Sequence, residues 1–139
     1  MAAAPRAIDI TGPTTGGKHG RPLAAYPRDL GRLGYIEEEY FVSGEAGSFR
    51  LSGAQTPDGK WSATASGQTQ PFTTRLLVHR PKDPARFNGT VLVEWINVTP
   101  GNDNVVVPDD PLYEGFAYVG VSAQAVGVHG FAGARPEVN

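Results

Sequence analysis

Cysteine is absent from the 139 residues, which excludes disulfides and thiolate metal sites. An excess of charge of either sign is absent as well. Twelve lysines and arginines stand against 14 acids, for a formal net charge of −2. That balance gives no electrostatic case for nucleic acid, because nucleic-acid binding needs a basic face. No stretch approaches the run of about 18 apolar residues that a membrane-spanning helix requires. Met1-Ala-Ala-Ala-Pro-Arg6 carries no apolar run, so no signal peptide is visible and a cytoplasmic protein is expected.

Glycine and proline are plentiful. The chain holds 18 glycines and 12 prolines, against an ordinary combined share of about 12%. Such a composition predicts many turns and little helix. The length predicts a chain large enough for a core of its own. Residues 1–34 carry Gly12-Pro13, Gly16-Gly17, Gly20, Pro22, Pro27, Gly31 and Gly34. They are expected to form an extended arm, with room for one helical turn over Arg28 to Leu33. Residues 35–139 are then the sheet-forming domain. Thr14-Thr-Gly-Gly-Lys18 lacks the glycine spacing and the ending of a phosphate loop, so no phosphate role is assigned to it.

The most informative stretch is Phe87 to Gly101. Asn88-Gly89 is a turn signal, and Thr90 to Val98 is almost wholly β-branched, aromatic or leucine. That pattern predicts a strand buried on both faces, stopped by Pro100-Gly101. A central strand ending in a polar loop is where open α/β sheets place their chemistry.

Three segments carry a family resemblance. Phe87-Asn-Gly-Thr-Val-Leu-Val-Glu-Trp-Ile-Asn-Val98 resembles the third strand of bacterial α/β-hydrolase domain proteins. Gly34-Tyr-Ile-Glu-Glu-Glu-Tyr-Phe-Val-Ser-Gly44 and Tyr118-Val-Gly-Val-Ser-Ala-Gln-Ala-Val-Gly-Val128 resemble the same family in the same order. The resemblance implies an α/β fold, of which this chain would be the mostly β, N-terminal half of the sheet. It also implies hydrolysis of carboxylic esters or related acyl bonds. The nucleophile elbow, acid and base of the family lie further along a longer chain.

Tyr35 to Ser43 and Gly47 to Ser52 read as two strands joined by Gly44-Glu45-Ala46. Glu37, Glu38 and Glu39 alternate faces along a strand and cannot converge on one ion, so a solvated hairpin edge is expected. Pro57-Asp58-Gly59 is a turn. Trp61 to Ala65 reads as a short strand and Phe72 to Arg80 as one with a partly wet face. His79 is expected at the surface. Asn102 to Glu114 has the length of a parallel crossover, but Pro108 and Pro111 leave room for no more than about one helical turn. Phe116 to Ser122 reads as a second buried strand, parallel to the first. From Ala123 onward, glycine and proline are expected to prevent helix. Val91, Val93, Trp95, Val119 and Val121 are the expected core.

A serine hydrolase needs a nucleophile, a base and donors for the oxyanion. Gly120-Val-Ser122-Ala-Gln124 is the nearest match to the elbow G-x-S-x-G, but Gln124 replaces its last glycine. Ser122 is therefore a weak nucleophile candidate. Asn97 and Val98 are the better candidates, as backbone donors. In α/β-hydrolases the loop after the third strand gives one N–H to the oxyanion hole, and the resemblance maps that loop onto Asn97 to Gly101. The alternative is an ordinary strand end whose Asn97 caps the turn. His129 reads as a loop histidine. Asn102-Asp103-Asn104 and Asp109-Asp110 do not match a calcium loop, and no metal or cofactor is expected.

The chain thus reads as a hydrolase portion that lacks its nucleophile and is inactive alone. The rival is a non-enzymatic β-rich binding or assembly module. In the strand order of the family the third strand lies between the fourth and a fifth that is not found here. A companion chain or a second copy is therefore expected to cover the edge of Thr90 to Val98.

Overall fold

The computed structural model describes residues 7–17, 20–105 and 113–129. Five strands form one mixed sheet: β1 Asp9–Thr11, β2 Tyr35–Ser52, β3 Ser62–Pro81, β4 Val91–Trp95 and β5 Ala117–Ser122. Their order across the sheet is β1-β2-β3-β5-β4. β5 runs antiparallel to β3 and parallel to β4, so the expected parallel pair is present. The contacts divide the chain into two units, one around Ser43–Thr73 and the other around Ile10–Val42 with the residues from Thr74 onward.

The first unit corrects the strand reading. β2 continues through Gly44 without a turn, and Trp61 to Ala65 merges with Phe72 to Arg80 into β3. Gly44 serves close approach instead, since a β-carbon there would fall 3.1 Å from the Phe72 ring. The reversal lies at the expected Pro57-Asp58-Gly59, where the Gly59 N–H donates to the Thr56 carbonyl over 3.2 Å. Phe49, Leu51 and Trp61 of this unit are exposed.

In the second unit a 3-10 turn, Leu30–Leu33, forms within the stretch where a helical turn was expected over Arg28 to Leu33, and a second one spans Pro84–Arg86. Asp29 caps the first by accepting from the Gly31 N–H, and Gly34 closes it in the left-handed region. Leu30, Tyr35, Tyr113 and Tyr118 form a buried cluster against one face of the sheet. The Tyr35 hydroxyl donates to the Phe116 carbonyl and accepts from the Gly115 N–H, at 3.0 and 2.8 Å. Tyr35 thereby ties the start of β2 to the start of β5.

The expected core is the main correction. Val91, Val93 and Trp95 are 49%, 70% and 70% exposed, and Val119 and Val121 are half-buried. Along β5 it is Tyr118, Gly120 and Ser122 that are buried. The cause is the position of the strands. β4 stands at the end of the sheet, with β5 on one side only. The described loops pack on the face that carries Tyr118 and Ser122, and Val91, Val93 and Trp95 of β4 point to the other. Strand composition records suitability for burial, and the neighbours decide whether burial happens.

Helix after β5 was not expected, yet Ala125–His129 forms the short helix α1. Gly127 is what permits it there, because the backbone passes against Asp103. A β-carbon at Gly127 would fall 2.0 Å from Asp103 Oδ1 and 2.9 Å from Val98. The middle of the crossover, residues 106–112 with Asp109-Asp110, lies outside the described residues. Among the described residues no helix is long and apolar enough to cross a membrane.

Candidate functional site

Residues of alternating direction on β2 and β3 meet in pairs on the covered face of the second unit. Glu37 and Glu39 point to it from β2, and Arg75, Leu77 and His79 from β3. All three of those β3 residues are buried. His79 Nε2 lies 2.8 Å from a Glu37 carboxylate oxygen, and the Arg75 Nε–H donates to Glu39. Glu38, on the opposite face, accepts from Arg80 through both oxygens at 2.8 and 2.9 Å.

Two of the expectations thus fail for one reason. The glutamates are not a solvated edge, and His79 is fully buried. The pattern is cross-strand pairing: acids two apart on one strand meet an arginine and a histidine four apart on the next. Complementary polar groups facing each other across strands stabilise a sheet, and burial of the Arg75 charge requires such a partner.

The pairs extend into two rows, the first across four strands and the second across three and the loop after β4. In the first, Glu37 meets His79, whose ring lies 5.2 Å from that of Tyr118 across the β3–β5 register. The Tyr118 hydroxyl in turn donates to Glu94 of β4. Burial, then the Glu94 carboxylate, pushes the Tyr118 hydroxyl well above the usual tyrosine range. Tyr26 and Tyr113 also pack on the His79 ring, with centroids 5.7 and 6.4 Å away. Since Nε2 faces a carboxylate, it carries the proton, and Nδ1 has no hydrogen-bond partner.

The second row holds the candidate site. Arg75 stands opposite Ser122. Its Nη1 donates to the Ser122 hydroxyl and to Asp103 Oδ2, each at 3.2 Å, and its Nη2 donates to the Leu23 carbonyl. Ser122 Oγ donates to the same Asp103 oxygen over 2.5 Å. One guanidinium therefore ties together β2, the 20–34 segment, the end of β5 and the loop after β4. Asp103 is 1% exposed, and its backbone N–H donates to the Gly127 carbonyl at 2.9 Å. Arg75, Glu39 and Asp103 were not singled out as site residues. The signal for Glu39 and Arg75 was the same cross-strand spacing, and Asp103, in the loop after β4, had none.

The loop after β4 is closed by short-range bonds. Ile96 N–H still reaches Val121 across the sheet, and Asn104 N–H donates to the Asn97 carbonyl at 2.9 Å. Asn97 is exposed and Val98 buried. The Asn97 side chain accepts from the N–H and hydroxyl of Thr99, at 3.0 and 2.8 Å, so it caps the turn. Val98 accepts from the Gly101 N–H. The structure brings Val98, Asp103 and Ser122 together, with α1 packed on them. His129 is exposed at the end of α1.

An open cleft of about 430 Å³ lies where the Gly16-Gly17 loop and Arg21 face Glu37, Glu38 and Glu39. All three carboxylates already hold a cation or histidine, so none of them is free to take a ligand. Among the described residues no group of acids and histidines is disposed to hold a metal ion.

A parallel strand pair ending in a clasped polar loop, within one mixed sheet, defines part of an α/β-type sheet. The chain belongs to the alpha/beta hydrolase domain family, whose profile matches residues 10–137. No curated protein matches the chain, and no solved structure does.

Proposed function

We propose that the chain is the N-terminal portion of a serine-hydrolase-like enzyme acting on carboxylic esters or related acyl bonds. It contributes the loop after β4 to the oxyanion hole and carries no nucleophile, so it is inactive alone. Residues 1–34 act as an arm and 35–139 as the partial sheet domain. The observation that carries the reading is the fastening of Asp103 by Arg75 and Ser122. Oxyanion donors work because they are held in place before charge develops, and this clasp holds the loop that bears the Asn97 and Val98 N–H groups. Ser122 Oγ is engaged by a carboxylate and a guanidinium, an arrangement that orients a hydroxyl without activating it.

The nucleophile comes from a companion portion, whose strand covers the free edge of β4. A second reading, a β-rich binding or assembly module, is favoured by the exposed apolar side chains of that same strand. Expression of the chain together with the coding sequence that follows it separates the two. Ester turnover that appears on joining, and falls when Asn97→Pro or Val98→Pro removes a backbone N–H, supports the enzyme. Turnover indifferent to both substitutions would remove the oxyanion assignment, and no turnover with any companion would leave the assembly module.

A further inference from the structure

We infer that Asn88 is a site of spontaneous deamidation in the folded chain, converted to aspartate and isoaspartate through a succinimide closed by the Gly89 nitrogen. Asparagine is among the thermolabile residues, and the turn before β4 supplies what its reaction needs. A base removes the Gly89 N–H proton, and the nitrogen lone pair forms a bond to the side-chain carbonyl carbon of Asn88. The bond from that carbon to Nδ2 breaks, and Nδ2 leaves as ammonia. Water then opens the ring. Attack at the side-chain carbonyl gives an aspartate, and attack at the main-chain carbonyl gives an isoaspartate, whose extra methylene lies in the backbone. One water is taken up and one ammonia released, with nothing oxidised or reduced.

Asn88, Gly89 and Thr90 are exposed, so base and water reach them. The Gly89 N–H meets no acceptor among the described residues. Gly89 sits at φ 88° with open space where a β-carbon would stand, so no side chain shields its nitrogen. Asn88 Oδ1 accepts from the Thr90 N–H at 2.9 Å, which draws electrons from the carbonyl carbon and folds the side chain over the Gly89 peptide. The other described asparagines each lack a requirement. Val98 and Val105 follow Asn97 and Asn104, and their branched side chains crowd the attacking nitrogen. Asp103 follows Asn102, and its N–H is committed to the Gly127 carbonyl. Asp58-Gly59 has the glycine, but the Gly59 N–H donates to the Thr56 carbonyl. Hydrogen bonds from the Thr56 hydroxyl, then the Lys60 N–H, hold the Asp58 carboxyl below its usual range, and an ionised carboxylate is a poor target for an amide nitrogen. The position of Asn88 gives the change a structural consequence. Its N–H donates to the Gly115 carbonyl at 2.9 Å, and the Ala117 N–H donates to the Thr90 carbonyl at 3.0 Å. These two bonds fasten the entry of β4 to that of β5, and an isoaspartate lengthens the backbone between them.

Incubation of the full chain at neutral and mildly alkaline pH, folded and in urea, tests the inference without recourse to ester turnover. Peptide mapping by mass spectrometry should show progressive loss of the Asn88 peptide to two products in the folded chain. One of them should be labelled by an isoaspartate-specific methyltransferase. Asn97, Asn102 and Asn104 should stay intact over the same period. The rate should rise in proportion to hydroxide, because the attacking species is the deprotonated Gly89 nitrogen. Asn88→Gln should suppress ammonia release, since the longer side chain must close a larger ring. Asn88→Asp should suppress it as well, while keeping an acceptor for the Thr90 N–H. An Asn88 peptide that converts in urea and stays intact in the folded chain would overturn the inference. So would equal loss at Asn97 or Asn104, aspartate formed without isoaspartate, or ammonia release unchanged in both variants.

Discussion

Arg75 and Ser122 face each other across the β3–β5 pair, and both donate to the same oxygen of Asp103. This small triangle sets where the loop after β4 sits. It is also the place where the chain stakes most on electrostatics, since Arg75 and Asp103 side chains are 3% and 0% exposed.

Arg75→Ala should therefore be among the most damaging substitutions. It strands the carboxylates of Glu39 and Asp103 without their cation, and breaking a buried pair from one side costs roughly 3–5 kcal/mol. Arg75→Lys should recover only part of that, because an ammonium cannot reproduce the fork that reaches Glu39, Leu23, Asp103 and Ser122 together. Denaturant unfolding of the two variants measures both. Equal stability of Arg75→Ala and wild type would show that the clasp does not hold the fold.

Ser122 should not react. Its hydroxyl sits 6% exposed between a carboxylate and a guanidinium. The purified chain is expected to leave aryl esters intact and to escape labelling by a fluorophosphonate probe. Stoichiometric labelling at Ser122 would make that residue a nucleophile and overturn the division of roles proposed above.

Gly127→Ala should test how tightly α1 is seated. The added methyl meets Asp103 Oδ1 and Val98 at once, so either the helix or the loop must shift. Overpacking of this kind costs typically about 1–3 kcal/mol. Amide exchange should quicken from Val98 to Asn104 more than in β3. Unchanged exchange in that loop would mean that α1 yields instead.

Tyr118 gives a pH prediction. Burial and Glu94 raise its hydroxyl pKa in the folded chain, while the unfolded chain titrates tyrosine near 10. The unfolded state then loses its proton first as pH rises. The stabilisation by this group is complete below about pH 10 and is lost progressively above it. Tyr118→Phe removes the titrating hydroxyl, so the alkaline decline of stability should become shallower. An identical decline in the variant would assign it to other groups.

The parallel pairing of β4 and β5 was legible in the sequence, because runs such as Val91–Trp95 and Ala117–Ser122 declare themselves as strands by composition and the family resemblance sets them side by side. Which face of them is covered was not. Both faces of β4 and β5 are apolar enough to be buried, and composition cannot tell that the 20–34 segment packs on one side of β5. The clasp escaped for a different reason. Glu39, Arg75 and Asp103 are far apart in the chain, and only the β2–β3–β5 register brings them together. Asn97 was readable as a turn cap, because that role is local: its carbonyl oxygen reaches two residues on.

Trp95 is where the correction changes an expectation most. A tryptophan in a packed core would cost about 3–5 kcal/mol on truncation to alanine. At 70% exposure the ring contributes little to the fold of a single chain, and Trp95→Ala should cost no more than about 0.5 kcal/mol, as at other exposed sites. Denaturant unfolding of the variant in dilute solution measures this. A large loss of stability in the dilute chain would instead place Trp95 in a packed core and return β4 to the interior of the sheet.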